Sequence, residues 1–394
     1  MLDSSEANTF AANFCESYMR ISRLFKNFIE SERAGGLILV YCTLISLFIA
    51  NSSLHAVYHG LWNYQMAGHA LEHWINDGLM AIFFLLIGLE LKREVYVGEL
   101  SSVSKALLPL IAALGGMLVP ALIYLGFNAG LPTIAGVGIP MATDIAFALG
   151  ILSLLGNRVP LALKVFLTAL AVIDDLGAIV VIALFYTKSL SLMYLGFSMG
   201  VFGVLLLLNK WRVKYLSVYL IGGLAMWYFM LHSGVHATIT GVLLAFAIPF
   251  SNGDTNSISH RLQHSLHKPV AFLILPLFAL ANTAIPFQSN IIHSLLEFSS
   301  VGILAGLIIG KPIGITTFTL IAVALKWCRL PSQVNVKQLL GAGMLGGIGF
   351  TMSIFITNLS FNEAILIDQS KFAILTASSI ASLSGLIYLK FVLK

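Results

Sequence analysis

Charge is what this sequence has least of. Of 394 residues, 22 are Lys or Arg and 17 are Asp or Glu, 10% of the chain, where a soluble domain carries about 25%. A water-covered surface cannot be built from that composition. Cysteine is scarce as well: Cys15, Cys42 and Cys328 are odd in number, far apart and at no metal-ligand spacing from a histidine, which excludes a disulfide framework and a zinc site. No Lys/Arg cluster stands in a folded polar segment, so the net charge of +5 points to membrane topology and not to nucleic acid.

Apolar residues are in surplus, at 58% of the chain with 26 Phe and 34 Gly, and the mean hydropathy is +0.92. The excess apolar surface must face lipid, and glycine lets helices approach closely inside a membrane. A hydrocarbon core of about 30 Å takes roughly 20 helical residues to span. Runs of that kind are expected at 34–51, 72–91, 106–127, 134–156, 161–186, 191–209, 215–230, 234–250, 266–283, 299–324, 338–359 and 370–390, twelve in all. The first follows four basic residues as a signal peptide would. It is longer than a secretory apolar core and lacks the small residue expected before a cleavage point, so it is expected to stay as an anchor.

Basic residues test the count, because inside loops should hold them. With the N-terminus inside, 19 of the 22 fall in inside segments, leaving Lys188 and Lys371 in outside loops and Lys311 within the membrane. Both termini are therefore expected in the cytoplasm. Residues 34–394 read as one transmembrane domain. The segment 1–33 carries Phe10, Phe14, Tyr18, Ile21, Phe25 and Phe28 at helical spacing, the pattern of an amphipathic helix lying on the inner leaflet or of a partly ordered tail.

Two spans are poor continuous helices. Gly136, Gly138 and Pro140 precede Thr143-Asp144 at mid-membrane depth, and glycines at 341, 343, 346, 347 and 349 precede Thr351. Interruptions at corresponding positions of two halves mark discontinuous helices at a transporter's binding site. Close packing by small residues accounts for the glycines but not for Thr143-Asp144.

Asp174 and Asp175 lie in the run Leu170–Ile179 with no basic residue between Lys164 and Lys188. Each Asp at a helix centre costs about 2.5 to 3.5 kcal/mol on insertion scales, so a tandem signals function. Burial and mutual repulsion favour protonation whereas a bound cation favours ionisation, so protons and a cation compete for the pair. Thr143 and Asp144 supply further oxygens or cap the half-helix starting at Ile145; for Asp144, compensation of helix N-termini is the favoured reading. Lys311, in Gly310-Lys311-Pro312, is the basic residue deep in an apolar stretch, and either pairs with Asp174 or neutralises helix C-terminal ends. At the inner end of the second span stand Asp77, Glu90, Lys92, Arg93 and Glu94, and His236, His260, Arg261, His264 and His267 follow later. Interfacial charges are commonly just solvated, but such a group would titrate near neutral pH.

At these residues the chain closely resembles the NhaA family of bacterial sodium/proton antiporters. The resemblance rests on Phe83–Glu94, Ala142–Gly150, Ile173–Ala178, Ser233–Thr238, Gly310–Pro312 and Gly347–Ser353, and runs from about residue 33 almost to the end. It implies an all-α integral membrane fold of about twelve transmembrane helices with an inverted repeat, helices three to five against ten to twelve, and two crossing discontinuous helices. It further implies electrogenic exchange of sodium or lithium for about two protons, pH regulation, the bacterial inner membrane, no enzymatic activity and no cofactor. By motif match, sodium is expected at Asp175, Asp174 and Thr143, with Asp175 the principal ligand, Asp174 its proton-linked partner, Asp144 at the crossing and Lys311 the essential lysine. Asp77, Glu90, Arg93, Glu94, His236, Arg261, Gln263 and His264 are the pH-response candidates. Two departures stand out: Gln263 replaces a glutamate of the family's pH-sensing segment, and the outside loop 52–71 is short and lacks the hairpin through which a homodimer would join.

Competing readings fare less well. A sodium-coupled symporter of an organic anion on a similar scaffold needs a donor-rich cavity, whereas the midplane polar groups here are mostly carboxylates. An intramembrane aspartyl protease would use aspartates on different helices, such as Asp144 and Asp174, but its Gly-Xaa-Gly-Asp element is missing and a tandem has no role in it. Composition alone does not separate a passive channel from an exchanger, but buried titratable carboxylates favour obligatory exchange.

Overall fold

Apolar runs close their backbone hydrogen bonds internally when no water is at hand, and helices are the outcome. The computed structural model describes residues 32–98, 100–186, 190–251, 257–287, 291–331 and 334–393. In chain order the helices are α1 (Glu32–Ala50) and α2 (His55–Trp62), α3 (Leu71–Tyr96), α4 (Val103–Asn128), a 3-10 segment (Pro132–Met141) leading into α5 (Ile145–Ser153), and α6 (Leu161–Phe185). There follow α7 (Leu192–Lys210), α8 (Leu216–Leu231) and α9 (Ile239–Ala247), then α10 (Ile258–Asn282) and α11 (Phe298–Ala324). Last come α12 (Val336–Gly346), α13 (Phe350–Ser360) and α14 (Ala364–Val392). Among the described residues, seven helices are long and apolar enough to cross a membrane unaided, and three bent pairs raise the number to ten. The expected spans 215–230 and 234–250 meet shorter helices, α8 and the nine-residue α9, divided at Gly234, whose φ of +83° a helix does not accommodate. The amphipathic segment proposed for residues 10–29, and Lys188, lie outside the described residues.

Both expected interruptions are breaks. The 3-10 segment and α5 meet at 41°, and α12 and α13 at 45°. Pro140 ends the first arm by removing a backbone donor. In the second, Gly347 lies so close to the Leu307 carbonyl that a Cβ would collide with it.

The chain runs long helix, broken helix, long helix twice: α4, the first broken pair and α6, then α11, the second broken pair and α14. The two copies are antiparallel. Gly115 of α4 meets Gly314 of α11, Pro120 meets Gly310, and Asn128 donates from Nδ2 to the Phe298 carbonyl at 3.1 Å, so one number rises as the other falls. The small residues bring the backbones together: a Cβ on Gly115 or Gly314 would strike the other's carbonyl oxygen. The core follows the repeats, with 67% of the apolar window of α6 buried against 11% for α7. Leu192, Leu224 and Leu383 are among the large apolar residues left facing outward, as a lipid-exposed surface requires.

Three expectations need correction. Residues 52–71 do contain a hairpin, Gln65–Met66 antiparallel to His69–Ala70. Its turn has positive φ at Ala67 and Gly68, the geometry of a tight hairpin, and two-residue strands are too short to show alternation in sequence. Lys371 is not in an outside loop but within α14, 6% exposed. Asp77 is not at the inner end of its span: it sits near the start of α3, about 20 Å along the helix axis from Glu90 at 1.5 Å per residue.

Candidate ion-binding site

The two breaks meet face to face. Asp144 donates its backbone N–H to the Ile348 carbonyl at 2.6 Å. Its Oδ1 accepts from the Phe147 N–H at 2.9 Å, capping α5. Its Oδ2 accepts from the Thr351 N–H at 3.0 Å and from the Thr351 hydroxyl at the start of α13. One carboxylate thus faces the positive ends of both half-helices.

Helix α6 passes alongside, and both of its aspartates are fully buried. Asp174 Oδ2 accepts from Lys311 Nζ at 2.5 Å and from the Thr143 hydroxyl at 2.8 Å. Lys311 also reaches Thr143 Oγ1 at 2.8 Å, and that hydroxyl lies 2.9 Å from the Gly346 carbonyl. Of the two roles left open for Lys311, the geometry is that of a pair with Asp174. The lysine follows a π turn, Gly306–Gly310, a local widening that recurs at functional positions in helices.

Asp175 is held differently: among the described residues neither of its oxygens has a hydrogen-bond partner, and Asp174 Oδ1 has none. The charges acting on it are Asp174, Asp144 and Glu90 of like sign and Lys311 of opposite sign. The site therefore offers buried carboxylate oxygens that no donor among the described residues fills, a donor set for a hard cation. Among the described residues, no group of three or more His, Cys, Asp and Glu gathers into a metal cage. Thr143, expected as a ligand beside the aspartates, has its hydroxyl engaged by Lys311, Asp174 and Gly346.

The pH-response candidates separate into groups. A cavity of about 390 Å³ is lined by Glu90, Arg93, His260, Gln263, His264 and His267 and reaches Ile145 and Ala146 at the crossing. Gln263 lies beside Glu90 in the cavity wall, and Glu94 pairs with Arg93 at 2.9 Å. We call this the basic end. Arg261 faces away, into a second cavity with Lys214. Asp77 pairs with His73 at 3.0 Å, and His236 Nε2 meets the Tyr186 carbonyl at 3.0 Å. These two belong to the far end, so they do not join the Glu90 group. The sequence reading grouped Lys92 with the interfacial charges without selecting it; it is 3% exposed and donates to the carbonyls of Ala245, Phe246 and Ile248 at 3.3, 2.9 and 2.6 Å, closing the C-terminus of α9. It also left Thr351 without a role and His260 and His267 unselected; His267 stood in the same stretch as His264, which was the available signal.

The family model described as Na+/H+ antiporter 1 matches residues 26–389. Among relatives, the Na(+)/H(+) antiporter NhaA of Flavobacterium psychrophilum is 62% identical over 376 residues, 95% of this chain and 98% of that one. The corresponding proteins of Cytophaga hutchinsonii and Dechloromonas aromatica are 60% and 58% identical, each over 95% of this chain, 97% and 98% of their own. The chain belongs to the NhaA family of sodium/proton antiporters. The matched range takes in both broken pairs, the Asp174-Asp175 tandem and Lys311.

Proposed function

We propose that this chain exchanges sodium, or lithium, for protons across the bacterial inner membrane, with both termini cytoplasmic and the basic end facing the cytoplasm. The observation that carries this reading is Asp175, a fully buried carboxylate with two partnerless oxygens beside an Asp174 already paired with Lys311. In the empty state Asp174 and Lys311 form an ion pair and Asp175 holds a proton. A sodium ion entering from the basic-end cavity binds the ionised Asp175 and Asp174 Oδ1. Asp175 gives up its proton, and Asp174 gives up its claim on Lys311, which releases a second proton. Two protons then leave for each sodium that binds, and the cycle moves net charge. The Glu90–Gln263 contact and the histidines of the basic-end cavity supply the pH response.

The test is reconstitution in vesicles. Added sodium should dissipate an imposed pH gradient; no dissipation would remove the antiport reading. At equal pH on both sides, a membrane potential worth about 2.3 kcal/mol per charge per 100 mV should drive sodium flux. Exchange indifferent to potential would reject the two-proton cycle and leave antiport standing.

A further inference from the structure

The far end holds a second chamber, about 260 Å³, whose walls include Glu72, His73, Asn76, Asp77, Phe355 and Asn358. Its inner wall is apolar: Phe355 lies 5.3 Å, centroid to centroid, from Phe84, and both rings are 1% exposed. Behind the wall, Asn282 ties three helices together. Its Nδ2 donates to Asn76 Oδ1 at 2.7 Å, and its Oδ1 accepts from Asn358 Nδ2 at 2.6 Å. The same oxygen accepts from Lys371 Nζ at 3.4 Å. Lys371 stands 4.0 Å from Glu72 Oε1, and it also acts electrostatically on Asp368, one turn earlier on α14.

Nothing in the exchange cycle requires a buried lysine here. A lysine out of water is costly and is kept where its charge has work to do. The acidic groups that act on it are Glu72 and Asp368, while Asp77, on the chamber wall, has His73 as its partner. The Lys371 ammonium thus opposes the charge that Glu72, on the chamber wall, would otherwise present to a cation there. At the opposite end, among the described residues no lysine lines the Glu90 cavity, and the buried Lys92 there gives its ammonium to the carbonyls of Ala245, Phe246 and Ile248 and not to a carboxylate.

We propose that Lys371 sets the sodium affinity of the far mouth, keeping the chamber weakly attractive to cations so that sodium delivered from Asp175 departs and does not return. Lys371 is a specificity-determining residue in this sense: it acts on which side holds the ion, through Glu72, and touches neither Asp174 nor Asp175. The inference rests on the antiport reading, and its test separates the two.

The measurement is sodium-dependent proton exchange in oriented proteoliposomes at one fixed pH, with sodium offered at either the Glu72 end or the Glu90 end. For Lys371→Gln the half-saturating sodium concentration at the Glu72 end should fall about three- to tenfold, the scale of one unit charge acting through partly wet surroundings. At the Glu90 end it should not change. Glu72→Gln, a substitution at a partly exposed position that puts little at risk in folding, should move the far-end value upward, and the double variant should return it toward wild type. An effect equal at both ends, or no opposition between Lys371→Gln and Glu72→Gln, would overturn the proposal and reduce Lys371 to a packing residue. Wild-type protein without sodium-dependent proton exchange would instead remove the antiport reading on which it rests.

Discussion

Asp144 and Asp175 are both almost wholly buried, in the same crossing, yet one accepts from the Phe147 and Thr351 N–H groups and the Thr351 hydroxyl while the other accepts from nothing among the described residues. Buried polar groups are nearly always satisfied, and a carboxylate filled by backbone donors at two helix N-termini acts as a fixed counter-charge. One left empty at equal burial lowers stability unless something comes to it. The difference separates the aspartate that builds the crossing from the one that the crossing exists to present.

The sharpest way to break that comparison is to neutralise each residue. Asp175→Asn should reduce sodium-driven proton flux to the background of empty vesicles, yet leave the protein inserted and melting no lower than wild type, since the carboxylate it removes has no partner to lose. Asp174→Asn should also be severely impaired, with a smaller effect on sodium affinity. Near-normal flux in Asp175→Asn would remove it from the ion site.

Lys311→Met should be the most destabilising of these changes. It strands Asp174, fully buried, without its cation, and removing one partner of a buried pair costs about 3–5 kcal/mol. The double variant Lys311→Met/Asp174→Asn should recover much of that loss in a thermal melt without recovering transport. A double variant as unstable as the single one would mean that the two do not act as a pair.

Asp144→Ala should cost less, about 2–4 kcal/mol, because it removes two caps of roughly 1 kcal/mol each and the counter-charge to two helix ends. Its signature is a lowered melting temperature together with residual, sodium-saturable exchange. If Asp175→Asn melted below Asp144→Ala, the division of roles between the two would be wrong.

The contrast between the aspartates was half visible in the sequence. Acidic residues inside apolar runs violate the surrounding pattern, so Asp144, Asp174, Asp175 and Lys311 could be picked out singly, and glycine and proline announced both breaks. Which oxygens are filled depends on Thr351 and Lys311, more than 130 residues away in the chain, and no local pattern carries that. Long basic side chains hide their destinations for the same reason. Lys92 and Lys371 look interfacial in sequence, but a flexible stem lets the ammonium reach wherever tertiary structure offers acceptors, here the end of α9 and the Asn282 cluster. Asp77 was misplaced by reading one helix as one neighbourhood, although its two ends lie on opposite sides of the membrane-spanning bundle.

The smallest effect is expected at Gln263, and it extends the same contrast to the basic-end cavity. Gln263 is buried beside Glu90, in a wall that also carries His260, His264 and His267. An amide there can donate to Glu90 at any pH, whereas a carboxyl at the same place would share protons with it, and two such groups would titrate as a pair. Gln263→Glu should therefore leave the maximal exchange rate close to wild type, because the site at Asp175 is untouched, while separating the two activity profiles along the pH axis by on the order of one unit or less. The check is exchange rate against pH for both proteins at saturating sodium, so that affinity changes do not enter. Superimposable profiles would show that the Glu90–Gln263 contact does not set the pH response, and would leave His264 and its neighbours to carry it.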